Sequence, residues 1–491
     1  MLKINKIDKK FLPDCSRVII RPHILGSERH TLQIIDRVLR LSEEQVEKIL
    51  NRVVENFANR HKNIMIAFDK NFDSVKSYIP KTEVISTNRK ALIGAYFSCE
   101  YSIQAAAFFN PSIVPHPVQD SEDSLKFIMS FRSVGEGHIS SIEFRSGCVD
   151  GNCDFTFDPV SKFAQRSEIS DTQIFEKDDF FMKIKEMFGY GGDIIQLMSN
   201  LLPEKFDFIT LLSAIQLVVG PEHKDLVDNI TWLAKSNYEL VFSPNCELSE
   251  KVIFPASQND MNGIEDARFV RFVDDDGTVT YYATYTAYDG HNILPQLIET
   301  KDFATFKVMT LCGEFSRNKG MALFPRKIDG KYMMISRVDG ENLYIMSSDN
   351  ILRWDEAKLL KMPENDWEFV QIGNCGSPIE TDKGWILLTH GVGPVREYSI
   401  GVALLDIDNP EQILGNIEEP LIRCAQEERE GYVPNVVYSC GSIIHKNNLI
   451  IPYAMSDICC GIATVTLDSL FNNFEKGKRK EHDSTKEMQK S

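Results

Sequence analysis

GTVTYYATYTA, residues 277–287, combines a glycine turn with a strand rich in aromatic and β-branched residues. Valine, threonine and tyrosine favour the pleated strand, and glycine favours the turn that precedes it. The same design, a turn followed by an aromatic-rich strand, returns at 330–338 (GKYMMISRV), 384–392 (GWILLTHGV) and 447–455 (NNLIIPYAM). The repeats lie about 50 residues apart, which fits one four-stranded blade per repeat. The sequence therefore favours a β-propeller over a sandwich or a barrel.

Strand and helix patterns divide the chain into regions. Short alternating segments bounded by glycine, such as SLKFIMSFRSV at 124–134, predict strands from about residue 104 onwards. Before them the pattern is helical, and Ser42 and Gln45 give a capping-box signal ahead of an amphipathic run. We therefore predict a mainly β protein with the following parts: a helical N-terminal extension at 1–95, a propeller domain at 96–470 with a helical insert at about 171–236, and a polar, disordered tail at 471–491.

Composition excludes several classes of protein. Hydrophobic content of 43% and charged content of 25% are typical of a soluble globular protein. The formal net charge of −17 argues against binding to a nucleic-acid backbone, although it leaves room for a small basic pocket. The N-terminus lacks a secretory signal, and the sequence has no apolar run long enough to span a membrane.

The eleven cysteines are scattered, and none form a CxxC pair of the kind that binds zinc. Free thiols in a reducing compartment explain this pattern. Together with the absence of a signal sequence, they predict a cytoplasmic protein that needs no metal.

Polar side chains within the strand-like segments are the candidates for chemistry, because a propeller binds its ligand where its inner strands meet. Glu265 and Asp266 are adjacent carboxylates at the start of such a segment, and Arg268 follows them. Taken singly, each candidate also fits an ordinary strand, turn or core role. The other candidates are Asn110, Ser112, Arg132, Lys319, Arg337, His390 and Asp457.

The order of these segments is more specific than any one of them. NPSIV, FRSVGEGH, GIEDARF, NKGMALFPRKIDGKYMMISR, GWILLTHGV and YAMSD follow one another in this chain. In this order they resemble glycoside hydrolase family 130, which contains β-mannoside phosphorylases and related β-mannosidases. The resemblance runs from about 104 to 470, and the N-terminal helices and the insert lie outside it.

The resemblance implies a five-bladed β-propeller with an inverting mechanism. It identifies Asp266 as the general acid, which acts through a hydroxyl of the bound mannose. Such an acid must be protonated, so a pKa raised by burial or by Glu265 would suit it. Phosphate then attacks the anomeric carbon from the opposite face and yields α-mannose 1-phosphate and a shortened acceptor.

The resemblance also assigns the binding residues. Four basic residues match the phosphate pocket: Arg132, Lys319, Arg337 and His390. Asn110 and Asp457 match positions that hold the mannose, and Arg268 lies beside the acid as a further substrate-binding residue. The chain departs from the family pattern at Ala267 (usually Pro), Lys319 (Arg in some members), Ser336 (often His) and Gln371 (often Lys). None of these changes removes the acid or the cations, although Gln371 leaves the acceptor contacts open.

Two alternatives remain at this point. A β-mannosidase on the same propeller would need a second carboxylate to activate water, and Glu136 or Glu430 would be its candidates. A non-catalytic propeller would bind sugars or a protein partner. Within the phosphorylase hypothesis we favour β-1,2-linked manno-oligosaccharides, with inorganic phosphate as co-substrate and no metal or organic cofactor. The additional helices would either narrow the acceptor side or form the interface of a homo-oligomer.

Overall fold

The computed structural model describes residues 2–80, 83–170, 173–288 and 293–474. The fold is mainly β, with 38% of residues in strands and 27% in helices. The N-terminal part contains β1 (Asn5–Phe11), β2 (Val18–Pro22), α1 (Glu28–Leu39), α2 (Glu43–Phe57), α3 (Ile64–Asp73), α4 (Thr87–Tyr96), β3 (Ser98–Ser102) and β4 (Ala107–Pro115). The middle part contains β5 (Leu125–Val134), β6 (Ser140–Val149), β7 (Phe155–Phe157), β8 (Gln165–Arg166), β9 (Glu168–Ser170), β10 (Ile174–Glu176), α5 (Lys177–Phe188), α6 (Asp193–Leu201), β11 (Lys205–Asp207), α7 (Phe208–Val218), α8 (Lys224–Lys235), β12 (Tyr238–Val241) and β13 (Lys251–Ile253).

The C-terminal half consists almost entirely of strands. They are β14 (Ile264–Val273), β15 (Val279–Tyr288), β16 (Ile293–Thr300), β17 (Thr305–Thr310), β18 (Lys319–Leu323), β19 (Tyr332–Arg337), β20 (Leu343–Ser348), β21 (Ala357–Lys361), β22 (Gln371–Asn374), β23 (Ile379–Thr381), β24 (Gly384–Val392), β25 (Tyr398–Leu405), β26 (Ile413–Asn416), β27 (Val437–Tyr438), β28 (Ile443–His445), β29 (Asn448–Met455) and β30 (Cys459–Thr466). A helix at 467–474 ends the described chain.

Five sheets in the described residues have four or more strands. Numbered along the chain, they have the orders β4-β5-β6-β13-β8, β14-β15-β16-β17-β12-β9, β18-β19-β20-β21, β22-β24-β25-β26 and β27-β29-β30-β1, with β7, β23 and β28 attached to β6, β24 and β29. Strands joined by short turns pair in antiparallel fashion, as such turns require, whereas β8 pairs with β13 in parallel.

Apolar clusters lie between successive sheets. One cluster joins the first sheet to the second, and others join the second to the third, the third to the fourth and the fourth to the fifth. A further cluster joins the fifth sheet back to the first, where Phe11 of β1 packs on Phe131 of β5 with ring centroids 5.0 Å apart. Strands covered on both faces in this way are mostly apolar, and in β24 every residue is buried, with Thr389 and His390 as its polar members.

The first residues of the chain differ from the prediction. The sequence predicts helix over 1–95, but β1 pairs with β30 and β2 pairs with β3, so helix begins only at α1. The polar composition of β1 hides its strand character, because pairing to the edge of β30 stabilises it more than its own pattern does. Further along, the capping box is confirmed: Ser42 Oγ accepts from the Gln45 amide at 3.2 Å, and Gln45 Oε1 accepts from the Ser42 amide at 2.9 Å.

The helical insert contains α5 to α8 and the two-stranded antiparallel sheet formed by β10 and β11. It has its own apolar cluster, and the end of α8 is tied to the second sheet. There Asn237 Oδ1 accepts from the Thr310 amide at 2.8 Å, and the Asn259 side chain donates to Ser236 Oγ. The insert is therefore fixed to the sheet that contains β14.

The predicted tail begins later than expected. Residues 467–474 are helical, and Phe471 and Phe474 are buried in the cluster shared by the fourth and fifth sheets. Burial of these two rings outweighs the polar composition of the segment around them. The rest of the predicted disordered tail, 475–491, lies outside the described residues. None of the described helices has the length and hydrophobicity that a membrane-spanning helix requires.

Candidate active site

Asp266 lies at a β-bulge near the start of β14. Its φ is 55°, and the register with β15 shifts between Glu265 and Arg268. A regular strand sends neighbouring side chains to opposite faces, whereas a bulge redirects one of them. As a result, Glu265 and Asp266 both contact the guanidinium group of Arg132, at 3.1 and 3.4 Å.

The same irregularity occurs at the edge strands of the two neighbouring sheets. Asn110 in β4 has φ 48°, and Gly320, next to Lys319 in β18, has φ 86°. Each residue lies where its strand loses register with its partner strand. Asn110 Nδ2 donates to Asp266 Oδ1 at 2.6 Å. Bulges in three successive sheets therefore bring polar side chains to one place.

Glu265 joins two cations. Its Oε1 lies 3.1 Å from Arg132, and its Oε2 lies 2.5 Å from Lys319 Nζ. Lys319 and Arg337 are paired across β18 and β19, which places their Cβ atoms about 5 Å apart. The cluster therefore gathers two cations on Glu265, with Arg337 opposite Lys319 in the strand pair, in an otherwise acidic protein.

His390 is a buried, neutral residue that orients Arg337. Burial, helped by the charges of Arg337 and Arg268, lowers the pKa of His390 to about 3. Its Nδ1 lies 3.0 Å from the carbonyl oxygen of Asn374, so Nδ1 carries the proton and donates. Nε2 is then free to accept from Arg337 at 3.4 Å. The sequence groups His390 with the basic residues, but its own charge is absent at neutral pH.

Arg268 stabilises the bulge at Asp266 through hydrogen bonds. It is buried, and it donates to the carbonyl oxygen of Asp266 at 3.2 Å and to the hydroxyl of Tyr438 at 2.5 Å. A guanidinium group that holds both a backbone carbonyl and a side chain of the fifth sheet fixes the position of the Asp266 carboxyl group. Arg268 thus positions the acid from the sheet side.

Asp457 brings a third carboxyl group to the cluster from the turn that follows β29. Its φ of 51° places it in the left-handed region. Burial, together with the charge of Asp266, raises the pKa of Asp457 to about 7, and Arg132 and Arg396 oppose this rise. Asp457 therefore exchanges its proton near neutral pH.

The pKa of Asp266 differs from the expectation. Burial favours the neutral carboxyl group, but the charges of Arg132 and Arg268 outweigh it, so the pKa lies below its ordinary value. The hydrogen bond from Asn110 and the charge of Lys319 act in the same direction. The expectation of a raised pKa for Asp266 is therefore wrong for the protein without bound substrate. The cations of the cluster stabilise the Asp266 carboxylate and lower its pKa.

The remaining candidate carboxylates lie on exposed loops. Glu136 and Glu430 are both exposed, on loops that meet where the Tyr432 hydroxyl lies 2.7 Å from His138 Nδ1. Two residues of the cluster are absent from the candidates that the sequence indicates: Asn374 and Tyr438. Glu265 is a candidate without an assigned binding or catalytic role, and the only signal at Asn374 is its position between glycines. Nothing in the sequence around Tyr438 indicates its contact with Arg268.

Comparison with known proteins places the chain in a family. The sequence model of glycoside hydrolase family 130, described as beta-1,4-mannooligosaccharide phosphorylase, matches residues 238–476. The 1,2-beta-oligomannan phosphorylase of Thermoanaerobacter sp. is 31% identical over 230 residues, which cover 45% of this chain and 75% of that protein. The chain belongs to glycoside hydrolase family 130.

This family 130 protein is also similar to proteins from Listeria innocua. The beta-1,2-mannobiose phosphorylase of Listeria innocua is 28% identical over 238 residues, which cover 46% of this chain and 65% of that protein. The solved structure of a beta-1,2-mannobiose phosphorylase from Listeria innocua, in complex with beta-1,2-mannobiose, has a TM-score of 0.45 and 20% identity, and covers 76% of this chain and 93% of that chain.

The family match begins at residue 238, after two members of the cluster. Asn110 and Arg132 lie outside the matched segment, yet both contact Asp266, which lies inside it. The first sheet therefore contributes to the site of this family 130 protein as directly as the matched sheets do.

Proposed function

We propose that the protein catalyses the inverting phosphorolysis of β-mannosides to α-mannose 1-phosphate and a shortened acceptor. One observation carries the proposal: the carboxyl group of Asp266 lies beside a group of cations, with Arg132 at 3.4 Å. Arg132 and Lys319 share the carboxylate of Glu265, as they would share an oxyanion. The names of the relatives from Thermoanaerobacter and Listeria, both mannoside phosphorylases, support the same reaction.

In this reaction Asp266 is the general acid. It delivers its proton to the glycosidic oxygen through a hydroxyl of the bound mannose, and the leaving sugar departs as the neutral acceptor. Asn110 and Arg268 hold Asp266 in place, and we assign Asn110, Arg268 and Asp457 to the sugar. A carboxyl group that supplies a proton in this way contributes about 10²–10⁴ to the rate.

Phosphate is the nucleophile and attacks the anomeric carbon from the face opposite the leaving group. It is already an anion at neutral pH, so it needs cations to hold it rather than a base to activate it. We assign Arg132, Lys319 and Arg337 to its oxygens, with guanidinium groups suited to paired contacts. His390 belongs to this pocket as the neutral acceptor that orients Arg337. Only at low pH would its Nε2 become protonated and donate to phosphate instead of accepting from Arg337.

Phosphate binding also gives a means of protonating the acid. Arg132 and Lys319 lower the pKa of Asp266, and a phosphate that engages them takes up part of their charge. Its own negative charge favours the neutral carboxyl group as well. Binding of phosphate therefore raises the pKa of Asp266 toward the value that a general acid requires.

We propose further that the five large sheets are the blades of a five-bladed propeller. The apolar clusters that join each sheet to the next, and the fifth to the first, support this arrangement. A cavity of about 510 Å³ supports it too, since its lining comes from strands of the first two sheets and from strands or adjoining loops of the other three: Ile113, Phe269, Pro325, Ser377 and Gly441 are examples. The predicted site would then lie at the centre of the ring.

The substrate we favour is a β-1,2-linked manno-oligosaccharide, with inorganic phosphate as co-substrate and no metal or organic cofactor. The printed activities of the two relatives support this linkage. The eleven cysteines, all of them free thiols, fit a cytoplasmic location, and the acidic charge fits a protein without a nucleic-acid partner. Self-association through the helical additions remains part of the proposal.

Product analysis tests the proposed function. The protein is incubated with β-1,2- and β-1,4-mannobiose in phosphate buffer, and ³¹P NMR follows the sugar phosphate. We expect α-mannose 1-phosphate from the β-1,2-linked substrate at the higher rate. Formation of the β anomer would contradict inversion, and the absence of any sugar phosphate from both substrates would contradict phosphorolysis.

A further inference from the structure

A cavity of about 750 Å³ lies between the helical insert and the second sheet. We call it the insert cavity. Its lining includes Phe188 of α5, residues of α8 and the loop residue Gln258, together with Ile293 and Leu294 of β16. The α8 residues are Asp228, Asn229, Trp232 and Lys235. Because the family match begins at residue 238, the insert that forms most of this lining lies outside the matched segment.

The lining of the insert cavity suits a neutral, polyhydroxylated ligand. The rings of Phe188 and Trp232 lie 5.9 Å apart, edge to face, and offer apolar surfaces on which a sugar ring can pack. Asn229 and Gln258 supply amide groups, which both donate to and accept from hydroxyls. Among the lining residues that the structure describes, one acidic and one basic residue, Asp228 and Lys235, balance in charge, so a phosphorylated or nucleic-acid ligand is disfavoured.

The insert cavity lies at the same end of the second sheet as the acid. Leu294 pairs with Ala287, and Ala287 pairs with Ile264, two residues before Asp266. Strands in a sheet are about 4.8 Å apart, so Leu294 lies about 10 Å from the strand that contains the acid. This distance is too long for the sugars on either side of the cleaved bond, but it is within reach of a longer chain.

The wall of the cavity is held in place relative to the acid. Tyr238, three residues after α8, donates from its hydroxyl to Asp260 at 2.7 Å. Asp260 also accepts from the Ser257 amide at 2.8 Å, so it fixes the loop that contains Gln258 and leads into β14. A sugar bound in the cavity would therefore be held at a constant distance from Asp266.

We infer that the insert cavity is a distal subsite that binds the far sugars of manno-oligosaccharides longer than a disaccharide. This inference rests on the proposed function and deepens it by naming the preferred substrate as a longer oligosaccharide. The helical insert then determines chain-length preference, because it supplies the aromatic rings and the Asn229 amide that a disaccharide does not reach.

Gln258→Trp tests the inference, because the exposed Gln258 can be replaced without disturbing the core and the larger ring fills the cavity. Gln216→Trp is the matched control, since Gln216 is exposed on α7 of the same insert and is not part of the lining. kcat/KM is measured for both variants with β-1,2-mannobiose and β-1,2-mannotetraose in phosphate. Loss of a few polar contacts worth about 1 kcal/mol in total lowers kcat/KM for the tetrasaccharide about fivefold to tenfold relative to kcat/KM for the disaccharide.

The expected result is that Gln258→Trp lowers the ratio of tetrasaccharide to disaccharide kcat/KM, while Gln216→Trp leaves this ratio unchanged. An unchanged ratio in Gln258→Trp would overturn the inference. Calorimetric titration of mannotetraose into the same proteins separates this failure from failure of the proposed function. If the wild-type protein forms no sugar phosphate, weaker tetrasaccharide binding in Gln258→Trp still supports the subsite, and equal binding overturns it.

Discussion

The carboxylate of Glu265 lies 2.5 Å from the ammonium group of Lys319. Its other oxygen contacts Arg132 at 3.1 Å, so one side-chain carboxylate bridges two of the cations that we assign to phosphate. Two oxygens of a bound phosphate would bridge the same two cations. Phosphate must therefore compete with Glu265 for these cations.

Glu265→Gln should accordingly tighten phosphate binding. The substitution keeps the shape of the side chain but removes the competing charge, and a partly exposed ion pair is worth about 1 kcal/mol, or about a fivefold lower KM for phosphate. Steady-state kinetics at saturating mannoside measure this KM. Glu380→Gln, which removes the exposed partner of Arg326, is the control and should leave KM unchanged. A higher KM in Glu265→Gln would mean that Glu265 organises the cations instead of competing for them.

Asp266→Asn should remove most of the activity while leaving the fold intact. An amide cannot donate the proton that the glycosidic oxygen requires, so kcat should fall by about 10²–10⁴. The thermal midpoint serves as the check on folding. Phosphate should still bind, because the substitution removes a negative charge that lies 3.4 Å from Arg132. Retention of more than a tenth of wild-type kcat would exclude Asp266 as the acid.

The raised pKa of Asp457 predicts a pH-dependent effect on stability. A carboxyl group with a folded-state pKa of about 7 contributes stability that is fully present below its unfolded pKa of about 4 and is lost as pH rises from there through 7. Asp457→Asn removes this loss. The variant should match the wild type near pH 4 and have a thermal midpoint about 2–4 °C higher at pH 8. The exposed Asp349→Asn is the control, and a difference between variant and wild type that does not change with pH would contradict the assignment.

His390→Phe should weaken phosphate binding through Arg337. The substitution keeps a buried ring but removes the Nε2 acceptor that lies 3.4 Å from the Arg337 guanidinium. A buried donor left without its partner costs about 1–3 kcal/mol, which predicts a KM for phosphate at least fivefold higher. The KM for mannoside should change less. Equal increases in both constants would indicate general damage to the site instead.

Much of the site could be predicted from the sequence, because the glycine-bounded strands and the acid occur in a recognisable order. Asp266, Asn110 and Arg132 meet as expected, at 2.6 and 3.4 Å. The role of Glu265 could not be predicted, since a regular strand would point it away from Asp266. A bulge with positive φ at Asp266 reverses that rule, and such bulges depend on the neighbouring strand as much as on local sequence.

The sign of the pKa shift at Asp266 also required the structure. Burial and a neighbouring carboxylate both raise an acid's pKa, and both could be inferred from adjacent residues. Two of the opposing cations, Arg132 and Lys319, come from β5 and β18, which only the fold brings to β14. In the same way, strand β1 is stabilised by pairing with β30 at the far end of the chain, and the sequence of β1 itself does not predict a strand.

The most direct test of the central claim is the dependence of bond cleavage on phosphate. The wild-type protein is given β-1,2-mannobiose in phosphate buffer and in a phosphate-free buffer of equal ionic strength, and the disaccharide and its products are quantified over time. We predict cleavage only with phosphate, with one α-mannose 1-phosphate formed for each mannose released. Release of two mannose molecules per disaccharide at the same rate in both buffers would contradict the account and identify a hydrolase.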